Sequence, residues 1–465
     1  MRKIVIIGGG ISGLATAWFL REKTQSRNAA LDLTLLEKES RTGGKIRSVK
    51  QEGYLCECGP NGFLDGKPHT PALCEALGIT KEFLRTNDDA RKRFIYSENK
   101  LHRLPESAVS FFSSPLISWP GKLRLALEAT PIISGPPKGI DETLADFARR
   151  RLGQEALDKL IGPMVSGIFA GDPEQMSLVS CFPRIAELER QYGGLVRAML
   201  MLAGKRRRER ATGKAVASPS GPAGILTSFE NGIQRLTGAL AESLGEIVRT
   251  NKDATRIQRK KNEAWRILCR DGDEYCADAV VVASPAYAAA DMLSACDSEL
   301  SAVLHKIPYA SLTVVSAGFE KKDFGRSLDG FGYLIPKKEG RAILGTLWDS
   351  SMFESRAPEG KILLRSMLGG ACFPDCIKLG DDEIAARTTR DLQAILGINT
   401  EPSFVRIFRH SNAIPQYTVG HAERLNVVSE RLRSHPGLIL TGNSYRGVGI
   451  NDCVATAEQV AAQLS

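Results

Sequence analysis

The 465 residues predict a two-part α/β fold, in which a parallel-sheet domain built from both chain ends is interleaved with a mixed-sheet domain and carries a mostly helical insertion. Three observations predict it. A strand, a glycine turn and a helix open the chain, the same pattern closes it, and a series of short strand-like runs lies between residues 309 and 368. Single hydrophobic cores stop growing near ~250–300 residues, so a chain of this length needs more than one.

The elements follow in order. Ile4-Val5-Ile6-Ile7 is a β-branched run suited to a strand buried on both faces. Gly8-Gly9-Gly10-Ile11-Ser12-Gly13 comes next, then a helical pattern over 14–21 and a second apolar run over 31–36 that ends on Glu37. This is a βαβ start. Residues 53–91 are mixed, with a turn at Gly59-Pro60-Asn61-Gly62. Residues 101–137 are apolar, aromatic and broken by prolines, and an Arg/Glu-rich helical region follows to about residue 201. The helical insertion is therefore expected at 91–210. Further on come a helix at 232–244, strands at 246–249, 264–269 and 279–283, and strand-like runs at 312–319, 343–347 and 362–368. A strand, a glycine-rich turn and a helix fill 437–464. The end-built domain is thus expected at 1–90 (with some strands of the other sheet), 225–300 and 421–465, and the mixed-sheet domain at 301–420.

Composition narrows the classes. Hydrophobic residues are 43% and charged residues 25%, the ordinary globular range. No apolar run approaches the ~20 residues of a spanning helix. Met1-Arg2-Lys3 leads straight into strand and glycines without a small-residue cleavage site, so a cytoplasmic protein is expected, soluble or peripheral on the cytoplasmic membrane. Ten cysteines show no paired zinc spacing and read as reduced thiols; no metal is expected. The net charge of +9 gathers partly in Lys205, Arg206, Arg207, Arg208 and Arg210, ahead of a Gly/Ser/Pro-rich stretch at 217–224. This basic run reads as a solvated loop, and without a base-reading motif no nucleic acid is expected.

Gly8-x-Gly10-x-x-Gly13 sits between a strand and a helix, the context that gives this spacing its meaning. Gly8 permits the tight turn, Gly10 lets the backbone approach a pyrophosphate, and Gly13 lets the helix pack close. The phosphate charge then meets the helix N-terminus, and Glu37 can bind ribose hydroxyls. The segment Glu37-Lys38-Glu39-Ser40-Arg41-Thr42-Gly43-Gly44-Lys45-Ile46-Arg47 distinguishes FAD from NAD. Its glycine doublet resembles the second phosphate-side loop of the glutathione-reductase-like flavoproteins, with Arg47 facing pyrophosphate or flavin. Gly442, Gly447 and Gly449, with Val448 and Ile450, precede the last helix and leave its N-terminal amides for charge gathering on a reduced flavin. No second GxGxxG occurs. Direct oxidation of a substrate, with electrons passed to oxygen or another acceptor, is favoured over a reductase fed by NAD(P)H.

With these motifs the chain resembles the amine-oxidase/protoporphyrinogen-oxidase superfamily, and within it the protoporphyrinogen oxidases, along nearly its whole length. The resemblance is carried by Gly59-Pro60-Asn61-Gly62-Phe63, Arg93-Phe94-Ile95-Tyr96 and Gly167-Ile168-Phe169-Ala170-Gly171. It continues through Gly330-Phe331-Gly332-Tyr333-Leu334-Ile335-Pro336, Met367-Leu368-Gly369-Gly370, Ile414-Pro415-Gln416-Tyr417 and residues 442–453. It implies non-covalent FAD and a six-electron oxidation of protoporphyrinogen IX to protoporphyrin IX in three flavin cycles, with molecular oxygen reduced to hydrogen peroxide. By resemblance Gly59, Pro60 and Asn61 join the cofactor site, and the backbone of Val248 binds adenine. Arg93 pairs with a propionate, while Gly332, Leu334, Leu347 and Met367 wall an apolar slot. The Gly167 carbonyl faces the macrocycle; Ser166 stands where some relatives carry arginine, which removes any charge from that position. Other readings stay open: a coproporphyrinogen III oxidase, a general amine oxidase or carotenoid desaturase, and a non-enzymatic flavin-binding scaffold for neighbouring haem-synthesis enzymes. A transient contact with the next enzyme of haem synthesis belongs with the expected partners. The run from Phe111 and Phe112 to Trp119 fits either an interfacial membrane contact or the interior of the helical insertion.

Overall fold

Strand Arg2–Ile7 lies at the centre of a five-stranded sheet ordered Val248–Arg249, Leu31–Leu36, Arg2–Ile7, Ala279–Val282, Leu438–Leu440. Every neighbouring pair in it is parallel. The computed structural model describes the chain except residues 28–29, 88–90, 107, 131–134, 136–138, 140, 212–223, 260–262 and 326. Alternation along the first strand divides two cores. Ile4 and Ile6 join Leu14, Leu236, Leu240, Val454 and Ala457 from helices Ile11–Ser26, Gln234–Leu244 and Ile450–Leu464. Val5 and Ile7 join Trp265, Ile267, Ala286, Ala289 and Leu300 on the opposite face. Burial on both sides is why the strand reads as a continuous β-branched run. The closing helix packs in the same core as the first helix, so the two chain ends complete one domain.

The second sheet has seven strands, ordered Phe404–Pro415, Tyr309–Glu320, Lys361–Gly369, Ile343–Leu347, Gly332–Leu334, Arg93–Ser97, Lys100–Arg103. Its single parallel pair joins Gly332–Leu334 to Arg93–Ser97. One face buries Tyr96, Val315, Ala317, Tyr333, Leu364 and Leu368 against Ile384, Leu392 and Leu396 of helix Asp381–Leu396. The opposite face carries the candidate site.

Two expectations change. Residues 93–103, expected within the helical insertion, form the hairpin at the edge of the seven-stranded sheet. Pairing of Arg93, Phe94 and Ile95 with Gly332, Tyr333 and Leu334, far along the chain, decides this, and the helical run begins at Ala108. The basic run expected as a loop falls inside helix Leu195–Ala211, as the high helix propensity of Lys, Arg and Glu allows. The glycine-rich stretch at 217–224 lies, except for Gly224, outside the described residues. The insertion is held by buried charge: Arg151 pairs with Glu128 at 2.7 Å, and Glu128 accepts the amides of Leu195 and Val196 at the start of that helix.

Candidate functional site

The opening glycines stand in three different environments. Gly8 has φ +110°, a conformation L side chains rarely adopt. A Cβ on Gly13 would lie 1.9 Å from the Gly8 carbonyl oxygen, so helix and turn close only on glycine. A Cβ on Gly10 would meet nothing within 4 Å. The space above Gly10 is open, at the N-terminus of a 16-residue helix that has no side-chain cap, where backbone N–H groups lack helical partners. Ile11 and Ser12 form its first turn.

The other expected cofactor residues gather by direct contact. The Gly43 amide donates to the Gly9 carbonyl at 2.8 Å, and a Cβ on Gly44 would approach Gly10 Cα at 3.4 Å. Glu37 is buried; one carboxylate oxygen accepts the Gly9 amide at 2.7 Å and the other the Glu39 amide at 2.8 Å. Lys38 beside it is exposed. Val248 pairs with Leu35, and the Glu37 amide donates to the Arg249 carbonyl, so this edge strand lies beside the ribose acid. Arg47 is exposed, and its carbonyl accepts the Cys58 amide at 2.9 Å. Gly59 presses on the same loop, since its Cβ would fall 2.5 Å from the Lys45 carbonyl oxygen. Beyond Pro60, the Asn61 Nδ2 is buried without a hydrogen-bond partner. A Cβ on Gly442 would come within 3.7 Å of the Ser12 hydroxyl. Open space, an uncapped helix start, a buried carboxylate and an orphaned amide donor fit an extended dinucleotide.

At Val448, Gly449 and Ile450 the geometry adds a carboxylate to the expected glycine-rich turn. The closing helix keeps the amides of Ile450 and Asn451 without an acceptor among the described residues, while Asp452 folds back to accept the amide of the capping residue Gly449 at 3.3 Å. That capping carboxylate already offsets part of the positive helix end.

Register unites the expected substrate residues. Gly332 pairs with Arg93 and Leu347, Leu334 with Gly345, and Gly345 with Met367. Paired residues and residues two apart share a face, so Arg93, Gly332, Leu334, Leu347 and Met367 lie on one side of one sheet. Gly332 must be glycine: φ is +130° and a Cβ would lie 2.1 Å from the Thr346 carbonyl oxygen. Helix Gly162–Phe169 crosses this face, with Gly167 so close that its Cβ would lie 2.9 Å from Leu334 Cδ2. Gly167 stands in the last helical turn, where carbonyls run out of helical partners. Arg93 is exposed at the edge, its guanidinium 5.1 Å from the Phe331 ring centre, and forms no ion pair among the described residues. A cavity of about 430 Å³ opens elsewhere, between Tyr309, Ser311, Gly370, Ala371 and Gln416; none of the expected residues lines it.

Sequence reading passed over three charged residues here. Lys45 donates from Nζ to the carbonyls of Asn412 and Ala413 at 2.5 Å each, and burial pushes its pKa down to about 8. Arg365 and Asp349 form a buried ion pair at 3.0 Å. The available signal was a charge inside the apolar run Ile362-Leu363-Leu364-Arg365. Among the described residues no cluster of His, Cys, Asp and Glu could hold a metal ion.

The model of the flavin containing amine oxidoreductase family matches residues 11–465. The chain is similar to the coproporphyrinogen III oxidase of Bacillus subtilis (strain 168), 33% identical over 97% of this chain and 96% of that protein. It is also similar to the chloroplastic protoporphyrinogen oxidase of Oryza sativa subsp. japonica, 31% identical over 99% of this chain and 88% of that protein. A crystal structure from Exiguobacterium sp. 255-15, assigned provisionally as a protoporphyrinogen oxidase, superposes with a TM-score of 0.83 at 28% identity, covering 100% of this chain and 98% of the other.

Proposed function

The chain belongs to the family of flavin containing amine oxidoreductases, and on that premise we propose that it is an FAD-dependent oxidase of porphyrinogens in haem biosynthesis. The observation that carries the reading is the single sheet face uniting Arg93, Gly332, Leu334, Leu347 and Met367 beneath Gly167. A flat, mostly apolar macrocycle suits such a wall, with one arginine at its edge for a carboxylate.

FAD, when bound without a covalent link, supplies the hydride-accepting chemistry. The protein's residues do the rest. Backbone around Gly10 takes the pyrophosphate, Glu37 the ribose, and Asn61 gains the acceptor its buried amide lacks. The apolar wall excludes water and Arg93 fixes the propionate edge. The Gly167 carbonyl accepts a hydrogen bond from a pyrrole N–H as that proton is lost. Molecular oxygen is the terminal acceptor and leaves as hydrogen peroxide.

Protoporphyrinogen IX is the substrate we favour, because one unpaired arginine at an apolar wall suits a macrocycle with two propionates. The Bacillus subtilis relative supports a second reading, coproporphyrinogen III. Side-by-side assays of both porphyrinogens, following porphyrin fluorescence, oxygen uptake and peroxide, separate the two. Turnover of neither overturns the function, and flavin that stays with the precipitated protein overturns non-covalent binding. We also propose a peripheral membrane contact: Trp119 is 71% and Phe112 50% exposed, with the Lys122 ammonium 4.7 Å from the Trp119 ring centre. Among the described residues no helix is long and apolar enough to cross a membrane.

A further inference from the structure

We propose that Arg365, held by its buried counter-charges, is a positioning residue that keeps the cofactor-side loop 59–61 in register with the substrate-facing sheet. The inference rests on the function proposed above. It starts from four charges that the chemistry does not use: Glu57, Asp349, Arg356 and Arg365 are each at most 2% exposed. Glu57 lies 3.4 Å from Arg356, and Asp349 lies 3.0 Å from Arg365.

As a stabilising device this cluster is a poor choice. Neither carboxylate oxygen of Asp349 nor the Arg365 Nε makes an aligned hydrogen bond. Burial raises the pKa of Asp349 and Glu57 and lowers that of Arg356. Well-packed apolar residues in place of a buried ion pair are often neutral or stabilising. The arginine does something an apolar side chain cannot. Its Nη1 donates to the Gly59 carbonyl at 2.6 Å.

That bond ties two surfaces together. On one side Arg365 pairs with Leu347 and stands two residues before Met367, so it shares the sheet face of the expected substrate residues. On the other, Gly59 abuts the Lys45 carbonyl, and the Cys58 amide bonds the Arg47 carbonyl. The 43–47 loop in turn reaches the fingerprint through the Gly43 amide and the Gly9 carbonyl. Asp349, 3.0 Å from the Arg365 Nε, supplies the counter-charge, and Arg356 with Glu57 anchors the strand that leads into Gly59. Glu57 accepts from the Ser48 hydroxyl at 2.6 Å and from the Ile233 amide at 2.9 Å. The guanidinium faces Asp349 with Nε and Gly59 with Nη1 across one rigid fork, whereas an ammonium, a compact point charge, offers a single nitrogen to both.

The test removes the grip without stranding a charge. In Asp349→Asn/Arg365→Met both members become neutral at similar volume. FAD dissociation constants are measured on reconstituted apoprotein by flavin fluorescence, with flavin absorption and thermal melting in parallel. Loss of one hydrogen bond made by a charged group predicts a dissociation constant higher by about tenfold to a hundredfold, with an altered flavin band and a melt close to wild type. Arg365→Lys keeps the charge opposite Asp349 and lies between the two. A folded double variant with wild-type FAD affinity and spectrum overturns the proposal. Should that variant fail to fold, Arg365→Lys decides, and unchanged FAD affinity there overturns it equally. These readouts need no porphyrinogen, so they stand apart from the substrate assays; a wild-type chain that takes up no FAD sinks both readings.

Discussion

Gly10 and Gly13 are three residues apart in one motif, yet the structure predicts opposite consequences of enlarging them. At Gly13 an added Cβ falls 1.9 Å from the Gly8 carbonyl oxygen, so Gly13→Ala forces the first helix off its strand. At Gly10 nothing stands within 4 Å, and φ is −75°, open to any residue. Gly10→Val therefore costs the fold only an N-cap preference, about 1 kcal/mol. Its isopropyl group fills the space left for a pyrophosphate. Losing two amide-to-phosphate hydrogen bonds at about 1.5–3 kcal/mol each weakens FAD binding by about a hundredfold to ten-thousandfold. The assay pairs thermal melting of the apoproteins with FAD titration. Gly10→Val should melt near the wild-type apoprotein and bind FAD about a hundredfold to ten-thousandfold more weakly, whereas Gly13→Ala should melt well below it. FAD affinity at wild-type level in Gly10→Val would refute the placement of the pyrophosphate.

Arg93→Ala should raise KM for the porphyrinogen by about tenfold to a hundredfold with little change in kcat, because a remote carboxylate contact is made equally in ground and transition states; a kcat loss at constant KM removes Arg93 from this role. His421 is buried, stacked 4.3 Å from the Tyr417 ring, and donates from Nε2 to the Tyr445 carbonyl while Nδ1 has no partner. Burial pushes its pKa down to about 4 from 6.5. The unfolded chain binds this proton first, so stability is complete above pH 6.5 and falls toward pH 4 by on the order of 3 kcal/mol. Urea midpoints across that window should drop less steeply in His421→Asn, and parallel slopes would exclude the histidine. Replacing Phe112 and Trp119 with serine should weaken salt-sensitive binding to anionic liposomes; a wild-type protein that stays in solution on spinning at low salt leaves nothing to weaken.

Local rules make much of this molecule legible in its sequence. A β-branched run ahead of spaced glycines names a strand, turn and helix, because φ above zero and close packing admit few alternatives at Gly8 and Gly13. The same reasoning located strands 31–36 and 343–347 at their observed bounds. Resemblance then brought Arg93, Gly332, Leu334, Leu347 and Met367 forward as single residues, and it took strand register to put them on one face. Where distant segments decide, sequence was silent or misleading. Residues 93–103 look local to the helices that follow, yet their hydrogen bonds go to residues 332–334. The capping Asp452 was within view, but its fold-back onto Gly449 was not. Arg365 showed only as a charge in an apolar strand. Its partners, Asp349 and Gly59, come from two other elements. Backbone preference is written within a few neighbouring residues and can be read there; the energy of a buried charge depends on which remote groups surround it, and only the folded chain brings those groups together.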